Sequence, residues 1–505
     1  MTRRELGLRL DDLARSLPIH AEVLGDGAVR VCGVRHDSRA VQPGELFVAR
    51  KGNTVDGARF VGDALARGAA AVMAAPGSVD AGRVHVPLIL VEEPSTALAY
   101  AASTVYGDPS RSLDVVGVTG TNGKTTTTHL VRAAIDGALR RPSCGLMGTT
   151  GCSFADWAFA AQHTTPESDE IARVMATIRD RGATHLAMEV SSHALQLERV
   201  RAVRFRVAAL TNVTQDHLDF HGSMRAYADA KASLFLEYAP MSAVLNVDDP
   251  LGRDLAARLN GGVVRVSARI GAQADVVPRV ARVDASGIKT TVRTPRGDLT
   301  IGSRLMGTHN LENLLLALGV AHALELDIEA AANALSAEPA PPGRLERCDE
   351  TGDDVTVFVD YAHTPDALKR ALEAVRVIAT GRVWCVFGCG GARDATKRAP
   401  MGEVVGRGAD VAVVTNDNPR TEDPISIAQA VAAGVRNAGI APVVELDRRR
   451  AIQFAVRSAT SGDVVLVAGK GHEDYQVVGD VKHPFDDRIE AREALRARRH
   501  ARGVT

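Results

Sequence analysis

A glycine-rich segment followed by lysine and threonine is the clearest chemical feature of the sequence. It joins an apolar, strand-like run, Leu113–Val118, to a segment with helical periodicity. Backbone amides at the start of a helix bind phosphate oxygens, the lysine reaches the β- and γ-phosphates, and the threonine hydroxyl binds Mg²⁺. The strand–turn–helix setting favours a nucleoside triphosphate site over a glycine-rich turn without function, although Val118 stands where the consensus has glycine. The residues expected at the nucleotide are Thr119, Gly120, Thr121, Asn122, Gly123, Lys124 and Thr125.

Three polar residues downstream of this loop could add metal or amine chemistry. Glu189 ends an apolar run, where a carboxylate can hold Mg²⁺; the alternative is a glutamate that caps the next turn. His217 follows another apolar run, and a lone histidine is more often structural than a ligand. Lys231 lies on an amphipathic helix, where the alternative is an exposed lysine. Only eight of the 60 basic residues are lysine, so arginine is the usual basic residue of this chain. A lysine at position 231 therefore favours a role for its amine, which a guanidinium could not fill.

A second group of charged residues follows the strand-like runs near the C-terminus. Asp417-Asn-Pro-Arg420 comes directly after the run Val411–Thr415, at the position where open α/β sheets bind ligands. The same four residues would also pass as a turn, because Asn-Pro is a common loop dipeptide. Arg393 and Arg420 can form bidentate hydrogen bonds with a carboxylate, while Glu473 can hold an ammonium beside Gly469.

The elements that must position these residues are of α/β type. A length of 505 residues predicts about three domains. Strand-like runs alternate with helical segments, and a proline-rich linker spans residues 337–343. We predict a small N-terminal α/β domain at 1–108 and a central P-loop-type, parallel-sheet ATPase domain at 109–342. A C-terminal, Rossmann-like doubly wound domain is predicted at 343–505.

Composition excludes several classes of protein. The 60 Lys+Arg and 61 Asp+Glu residues give a net charge of −1, which argues against nucleic-acid binding or a polybasic membrane contact. No apolar run is long enough to span a bilayer. The N-terminus reads as an amphipathic helix with Leu6, Leu10, Leu13 and Leu17 on one face, not as a signal peptide. Six scattered cysteines without a CxxC pair predict reduced, buried thiols in a cytoplasmic protein.

Several separate blocks resemble, in order, those of the Mur ligase family, the ATP-dependent amide-forming enzymes of peptidoglycan synthesis. Within the family, the C-terminal blocks resemble the members that add the third residue of the stem peptide. The resemblance covers essentially the whole chain. The blocks are the GTNGKTT loop, Glu189–His193, Asn212–His217, the Lys231 segment, His309–Asn313, Gly343-Arg344, Asp360–His363, Gly388–Asp394, Asp417–Arg420 and Gly469–Glu473.

The resemblance implies further residues at the nucleotide and metals. Asn310 and Asn313 would contact adenine, the alternative being capping of a helix, which asparagine does well. Arg344, Asp360, Tyr361 and His363 would close onto ATP. The resemblance also implies Mg²⁺ held at Thr125 and Glu189, and a second Mg²⁺ near His217. It implies N6-carboxylation of Lys231 by CO₂, which would give a carbamate that helps to organise the second ion.

Substrate residues follow from the same resemblance. The acceptor is expected at Ser38, Thr164, Thr165, Ser191 and Arg199, with His163 and Leu197 departing from the family pattern. The Asp-Asn-Pro-Arg block resembles a diaminopimelate-recognition motif, and an arginine suits the carboxylate that distinguishes diaminopimelate from lysine. The residues expected at the amino acid are Arg393, Asp417, Asn418, Pro419, Arg420, Gly469 and Glu473.

The implied reaction joins diaminopimelate to UDP-MurNAc-L-Ala-D-Glu through an acyl phosphate, in a cytoplasmic monomer without nucleic-acid partners or membrane insertion. Rival enzymes are another Mur ligase or folylpolyglutamate synthetase, which the C-terminal blocks disfavour. A non-catalytic nucleotide switch leaves Arg393, Arg420 and Glu473 unexplained, and a nucleic-acid motor lacks a basic stripe. The meso and LL forms of diaminopimelate carry the same charges and are not distinguished.

Overall fold

The computed structural model describes residues 7–52, 55–160 and 163–502. Proximity of Cα atoms divides the chain into two compact units. The first unit comprises Met1–Thr119, Leu139–Ala209 and Ala230–Ala243, and the second comprises Gly120–Ala138, Leu210–Asp229 and Val244–Thr505. No helix in the described ranges combines the length and apolar character that crossing a membrane requires.

The N-terminal part of the first unit carries a five-stranded sheet of order β2-β7-β6-β5-β4, in which β4 to β7 are parallel and β2 is antiparallel. Successive residues of β5 face different hydrophobic cores, as a strand buried on both sides requires. The elements are β1 (Leu8–Arg9), α1 (Leu10–Ser16), β2 (Glu22–Leu24), β3 (Arg30–Val31), β4 (Val34–Arg35), β5 (Leu46–Ala49), α2 (Val61–Ala66), β6 (Ala71–Ala74), β7 (Leu88–Leu90) and α3 (Pro94–Val105).

Two expectations for this part are modified. The predicted N-terminal helix begins only at Leu10; Leu10 and Leu13 are buried as expected, and Leu6 lies outside the described residues. The short β-like run Ala28–Val34 predicts one strand, but the structure has two here, since β3 pairs with β1 while β4 pairs with β5. The chain changes partner next to Gly33, where a Cβ would lie 2.6 Å from Glu45 Oε1.

The middle of the chain contributes six neighbouring strands to the first unit, in the order β11-β10-β9-β12-β8-β13. β9, β12 and β8 are parallel, as predicted, whereas β10 and β11 are antiparallel. The elements are β8 (Asp114–Thr119), α4 (Lys124–Leu139), β9 (Cys144–Gly148), β10 (Gly151–Phe154), β11 (Trp157–Phe159), α5 (Ser168–Asp180), β12 (His185–Glu189), α6 (Ser192–Gln196), β13 (Val207–Leu210), α7 (Leu218–His221), α8 (Met224–Leu236), β14 (Ser242–Asn246), α9 (Pro250–Arg258), β15 (Val263–Val266), β16 (Val277–Asp284), β17 (Gly287–Thr294), β18 (Gly297–Ser303), α10 (Thr308–Ala323) and α11 (Ile328–Ala337).

Two antiparallel arrangements accompany the predicted parallel strands of this region. Only two residues join β9 to β10, which is enough for a hairpin but too short for a parallel crossover. In the second unit, β16, β17 and β18 form a three-stranded antiparallel sheet. Gly287 and Gly297 adopt positive φ at the two tight turns of this sheet.

The C-terminal part of the second unit is a doubly wound α/β fold, as predicted. Its sheet has the order β19-β20-β24-β21-β22-β23 and is parallel except at β19. Helices α12–α14 pack in one core and α15 and α16 in the other. The elements are β19 (Glu346–Arg347), β20 (Thr356–Asp360), α12 (Pro365–Arg376), β21 (Val383–Phe387), α13 (Arg398–Gly408), β22 (Val411–Val414), α14 (Pro424–Asn437), β23 (Val443–Val444), α15 (Arg448–Ser458), β24 (Val464–Ala468), β25 (Tyr475–Val478), β26 (Val481–Pro484) and α16 (Asp487–Ala501).

Candidate active site

The glycine-rich loop lies between β8 and α4, as predicted, with Lys124 as the first residue of the helix. The Lys124 ammonium donates hydrogen bonds to the carbonyls of Gly120 and Thr121, both at 2.9 Å, so the loop curls around this side chain. Gly120 has a φ of +147°, and a Cβ there would lie 1.8 Å from Thr211 Oγ1. A turn that admits only glycine, followed by the N-terminus of a 16-residue helix, has the geometry of a phosphate cradle.

The segment after β13 holds the loop in place. The amide of Thr121 donates to the carbonyl of Asn212 at 2.7 Å, and the amide of Asn122 donates to Asn212 Oδ1 at 3.0 Å. Thr211 Oγ1 donates to the carbonyl of Asn122 at 2.6 Å, and Thr121 Oγ1 lies 3.0 Å from the hydroxyl of Tyr227. The loop is therefore fixed by hydrogen bonds at consecutive residues.

The two asparagines predicted at adenine lie inside α10, and Asn313 lies beside Gly123 of the phosphate loop. Asn313 Nδ2 donates to Asn310 Oδ1 at 3.0 Å, and Thr127 Oγ1 donates to Asn313 Oδ1 at 3.2 Å. A Cβ on Gly123 would lie 2.5 Å from Asn313 Oδ1. Neither asparagine caps the helix, because its N-cap residue is Gly307. The capping alternative is thus wrong, whereas the contact with adenine stays a prediction.

Arg344 reaches the phosphate loop from the segment before β19. Its Nη2 donates to Thr125 Oγ1 at 2.8 Å, and its guanidinium lies over the ring of Tyr361 at 4.5 Å. Asp360 accepts hydrogen bonds from the amides of Leu345 and Ala362, at 2.7 and 2.8 Å, and burial raises the pKa of its carboxyl. Asp360 therefore anchors the segment that carries Arg344, and its own contact with nucleotide stays a prediction.

A buried carboxylate that sequence reasoning did not assign, Asp216, collects three positively charged or titratable groups. Its carboxylate oxygens lie 3.4 Å from His217 Nε2, 3.9 Å from His363 Nε2 and 3.7 Å from Lys397 Nζ. Burial opposes the charge of Asp216, but these three neighbours outweigh it and lower the pKa to about 2. The sequence alone points to the adjacent His217 as a candidate site residue. Only the fold shows that His363 and Lys397 lie near the same carboxylate.

Glu189 ends β12 beside the strand that leads into the phosphate loop. It is in register with Val118 of β8, and its carboxylate accepts hydrogen bonds from the amide and the hydroxyl of Thr149, at 2.8 and 3.1 Å. The next helix is capped by Ser191, so the alternative of a capping glutamate is wrong. Glu189 is 1% exposed, and a buried carboxylate at a strand end suits a divalent cation.

Lys231 lies on α8 with its side chain 1% exposed. The alternative of an exposed helical lysine is therefore wrong. A buried ammonium is costly unless it is compensated, so this position demands either an anionic partner or a modified amine. Within the described ranges, no group of three His, Cys, Asp or Glu side chains is arranged to hold a metal ion.

The residues predicted at the acceptor peptide lie together in the first unit. Thr165 Oγ1 donates to the carbonyl of Glu189 at 2.8 Å and accepts from the amide of Ser191 at 3.0 Å. Arg199 Nη1 donates to the carbonyl of Thr165 at 3.1 Å, and Thr164 Oγ1 lies 3.2 Å from Thr149 Oγ1. Ser38, predicted on the uridine side, is buried in a short 3₁₀ helix.

Three of the residues predicted at the amino acid, Asp417, Asn418 and Glu473, meet at the carboxyl ends of the C-terminal strands. Asn418 Nδ2 donates to Glu473 Oε2 at 3.0 Å. The fully buried Lys470 donates to Asn418 Oδ1 at 3.0 Å and to Glu473 Oε2 at 3.1 Å, and lies 3.6 Å from Asp417 Oδ1. Lys470 belongs to the GKGHE block but was not among the predicted site residues, so it is a residue that sequence reasoning missed.

Arginines border this cluster. Arg420 has a left-handed backbone (φ +53°), and its Nη1 donates to the carbonyl of Gly391 at 2.8 Å. The amide of Gly391 donates to the carbonyl of Asn418, and a Cβ on Gly391 would lie 2.0 Å from the Pro419 carbonyl oxygen. Arg393 is exposed on the same loop. Gly469 has a φ of +119° at the end of β24.

Comparison with known proteins assigns the whole architecture. Three family models match the chain: the Mur ligase family catalytic domain over 30–106, the Mur ligase middle domain over 118–321, and the Mur ligase glutamate ligase domain over 343–471.

One relative, from Gloeobacter violaceus, is named UDP-N-acetylmuramoyl-L-alanyl-D-glutamate--2,6-diaminopimelate ligase; it is 46% identical and covers 97% of this chain and 99% of its own. A solved structure with the same ligase name is 31% identical, with a TM-score of 0.66 over 98% of this chain and 100% of that chain. MurF ligase from Thermotoga maritima, in complex with ADP, shares the fold at 20% identity and a TM-score of 0.64, covering 93% of this chain and 98% of its own. The architecture is thus the three-domain α/β arrangement, and the chain belongs to the Mur ligase family.

Proposed function

We propose that this chain joins 2,6-diaminopimelate to the D-Glu γ-carboxylate of UDP-MurNAc-L-Ala-D-Glu, with conversion of ATP to ADP and phosphate. The observation that carries the proposal is the cluster of Asp417, Asn418 and Glu473 at the carboxyl ends of parallel strands, bordered by Arg420. Anionic groups suit ammonium groups, and a guanidinium suits the carboxylate that lysine lacks. Relatives of 41–46% identity over nearly the whole chain carry the corresponding ligase name.

The nucleotide is proposed to lie on the loop from Gly120 to Thr125. The loop fits a phosphate because Gly120 leaves no space for a side chain and its amides precede the helix. Lys124 would bind the transferring phosphoryl group, and Arg344, which contacts Thr125, would stabilise its charge. Magnesium, when bound, would neutralise phosphate charge. We propose one ion at Thr125 and Glu189 and a second near His217, which N6-carboxylated Lys231 would help to organise.

The proposed reaction has two steps. The γ-carboxylate of the acceptor attacks the γ-phosphorus of ATP, and ADP leaves. The amine of diaminopimelate then attacks the resulting acyl phosphate, loses a proton and displaces phosphate. Water would destroy the acyl phosphate, so the site must exclude it. We further propose the domain boundaries 1–108, 109–342 and 343–505, and a cytoplasmic monomer.

The test measures ADP release with the acceptor and one amino acid at a time. The panel contains meso-diaminopimelate, LL-diaminopimelate and L-lysine. Release that requires both acceptor and a diaminopimelate isomer supports the proposal, and the preferred isomer identifies the natural substrate. Release without acceptor, or equal release with L-lysine, would refute it.

A further inference from the structure

One buried carboxylate of the first unit, Glu167, is shared by two arginines. Its Oε2 lies 2.8 Å from Arg50 Nη2, and its Oε1 lies 2.8 Å from Arg199 Nη2. Glu167 is only 8% exposed. Arginine remains protonated in proteins, so the three side chains together carry a charge of +1. Arg50 follows β5 in the N-terminal part of the chain, and no motif pointed to it.

The residues around this cluster indicate what kind of group the remaining positive charge binds. Arg199 donates to the carbonyl of Thr165, the residue that also links Glu189 to Ser191. The Arg199 Nε–H is buried and, among the described residues, has no hydrogen-bond partner. A buried hydrogen-bond donor without a partner is energetically costly, so this position favours a ligand group that is anionic and accepts a hydrogen bond.

We propose that Arg50 sets the charge of the acceptor pocket. By neutralising Glu167, it leaves the charge of Arg199 available for the carboxylate of D-Glu that does not react. This inference rests on the proposed function, since that function supplies an acceptor ending in D-Glu. Without Arg50, Glu167 would neutralise Arg199, and the acceptor carboxylate would meet a cluster of zero net charge. Arg50 is therefore a positioning and charge-setting residue rather than a catalytic one.

The direct measurement is the dissociation constant of UDP-MurNAc-L-Ala-D-Glu by titration calorimetry, which does not depend on turnover. Because Glu167 would then neutralise Arg199, Arg50→Met should weaken acceptor binding roughly tenfold. Binding of ADP should be unchanged. The matched control is Arg59→Met, which removes an exposed arginine from the same part of the chain. Unaltered acceptor binding in Arg50→Met would overturn the inference.

A second variant separates charge from structure. Arg50→Met combined with Glu167→Gln returns the cluster to +1, so acceptor affinity should recover to within about threefold of the wild type. A purely structural role for the ion pairs predicts a further loss instead. Failure of this recovery overturns the proposal.

A modified acceptor identifies the anion. In an acceptor whose D-Glu α-carboxylate is an amide, the pyrophosphate remains and the proposed partner of Arg199 is gone. The Arg50→Met effect should then disappear, and its persistence would assign the effect to the pyrophosphate and refute the inference. A wild type that binds the acceptor but forms no product would refute the ligase function alone.

Discussion

Replacing Lys470 by methionine removes a charge from the centre of the amino-acid cluster. The Lys470 side chain is fully buried, and its ammonium contacts Asn418 and Glu473 within 3.1 Å. Asp417 lies 3.6 Å away. Methionine matches the length and apolar stem of lysine, so the substitution changes charge and hydrogen bonding much more than packing. The two carboxylates would then remain close together without the cation between them.

The expected loss of stability is large. Removing one partner of a buried ion pair costs about 3–5 kcal/mol, since the other charge stays buried. Glu473 retains 16% of its side-chain exposure, so the lower limit, about 3 kcal/mol, is the appropriate figure. For a domain of the size of residues 343–505 that corresponds to a fall in Tm of roughly 6–12 °C. The affinity for diaminopimelate should fall at least about tenfold, because Asn418 and Glu473 lose the donor that orients them.

The pH dependence supplies an independent readout. Burial opposes the charge of Asp417, but Lys470 and then Arg448 outweigh it and lower the pKa of its carboxyl. A lowered pKa contributes stability above the ordinary value of 3.8, which is lost as the pH falls through the folded-state pKa. The difference in stability between wild type and Lys470→Met should therefore be full at neutral pH and narrow below about pH 4.

The assay combines thermal unfolding with steady-state kinetics. Lys470→Met should raise KM for diaminopimelate while leaving KM for ATP unchanged. The matched control is Lys482→Met, which removes a lysine from over the ring of the nearby Tyr475. A Lys470→Met protein with a Tm within 2 °C of the control and the same KM for diaminopimelate would refute the reasoning.

Three further predictions concern other parts of the molecule. Gly120→Ala should abolish ADP binding in calorimetry, because its Cβ would lie 1.8 Å from Thr211 Oγ1; normal affinity would contradict the loop geometry. Burial opposes the charge of His36, but the hydrogen bond and charge of Asp169 outweigh it and raise the pKa of the imidazole. The His36–Asp169 ion pair should therefore stabilise the protein fully below pH 6.5, and this stabilisation should be lost as the pH rises through the raised pKa. Thermal unfolding between pH 5 and 9 should show that decline in the wild type and not in His36→Gln. Lys231→Arg should lose ligase activity and its response to added bicarbonate, since a guanidinium cannot supply the proposed carbamate, and full activity would exclude that role.

Strands buried on both faces were predictable from the sequence. The continuous apolar runs Val383–Phe387 and Val464–Ala468 predict two strands, and β21 and β24 have these same bounds. The bounds are clear because a central parallel strand has no polar face. The antiparallel strands were missed. β16 and β17 form an antiparallel pair around a tight turn at Gly287, whereas strands and helices alternate regularly elsewhere in the chain.

The site residues likewise divide into those that the sequence predicts and those that it misses. Residues that act within one contiguous block, such as Lys124 and Asn418, could be named because the block itself carries the chemistry. Asp216, Glu167 and Lys470 were missed although each forms an ion pair with a predicted residue, since their partners include residues from distant segments of the chain.

A physical rule connects these three omissions. A charged side chain that is buried needs a compensating charge or hydrogen bonds, so each buried charge within a motif implies a partner. The sequence implies that such a partner exists but not which residue it is, because dozens of acidic and basic side chains satisfy the requirement equally until the fold selects one. Arg199 and Lys397 illustrate the point, since their carboxylate partners come from α5's N-terminus and from the segment before α7. The charge that a substrate meets is thus a sum over distant segments, and it follows from the fold rather than from the motifs.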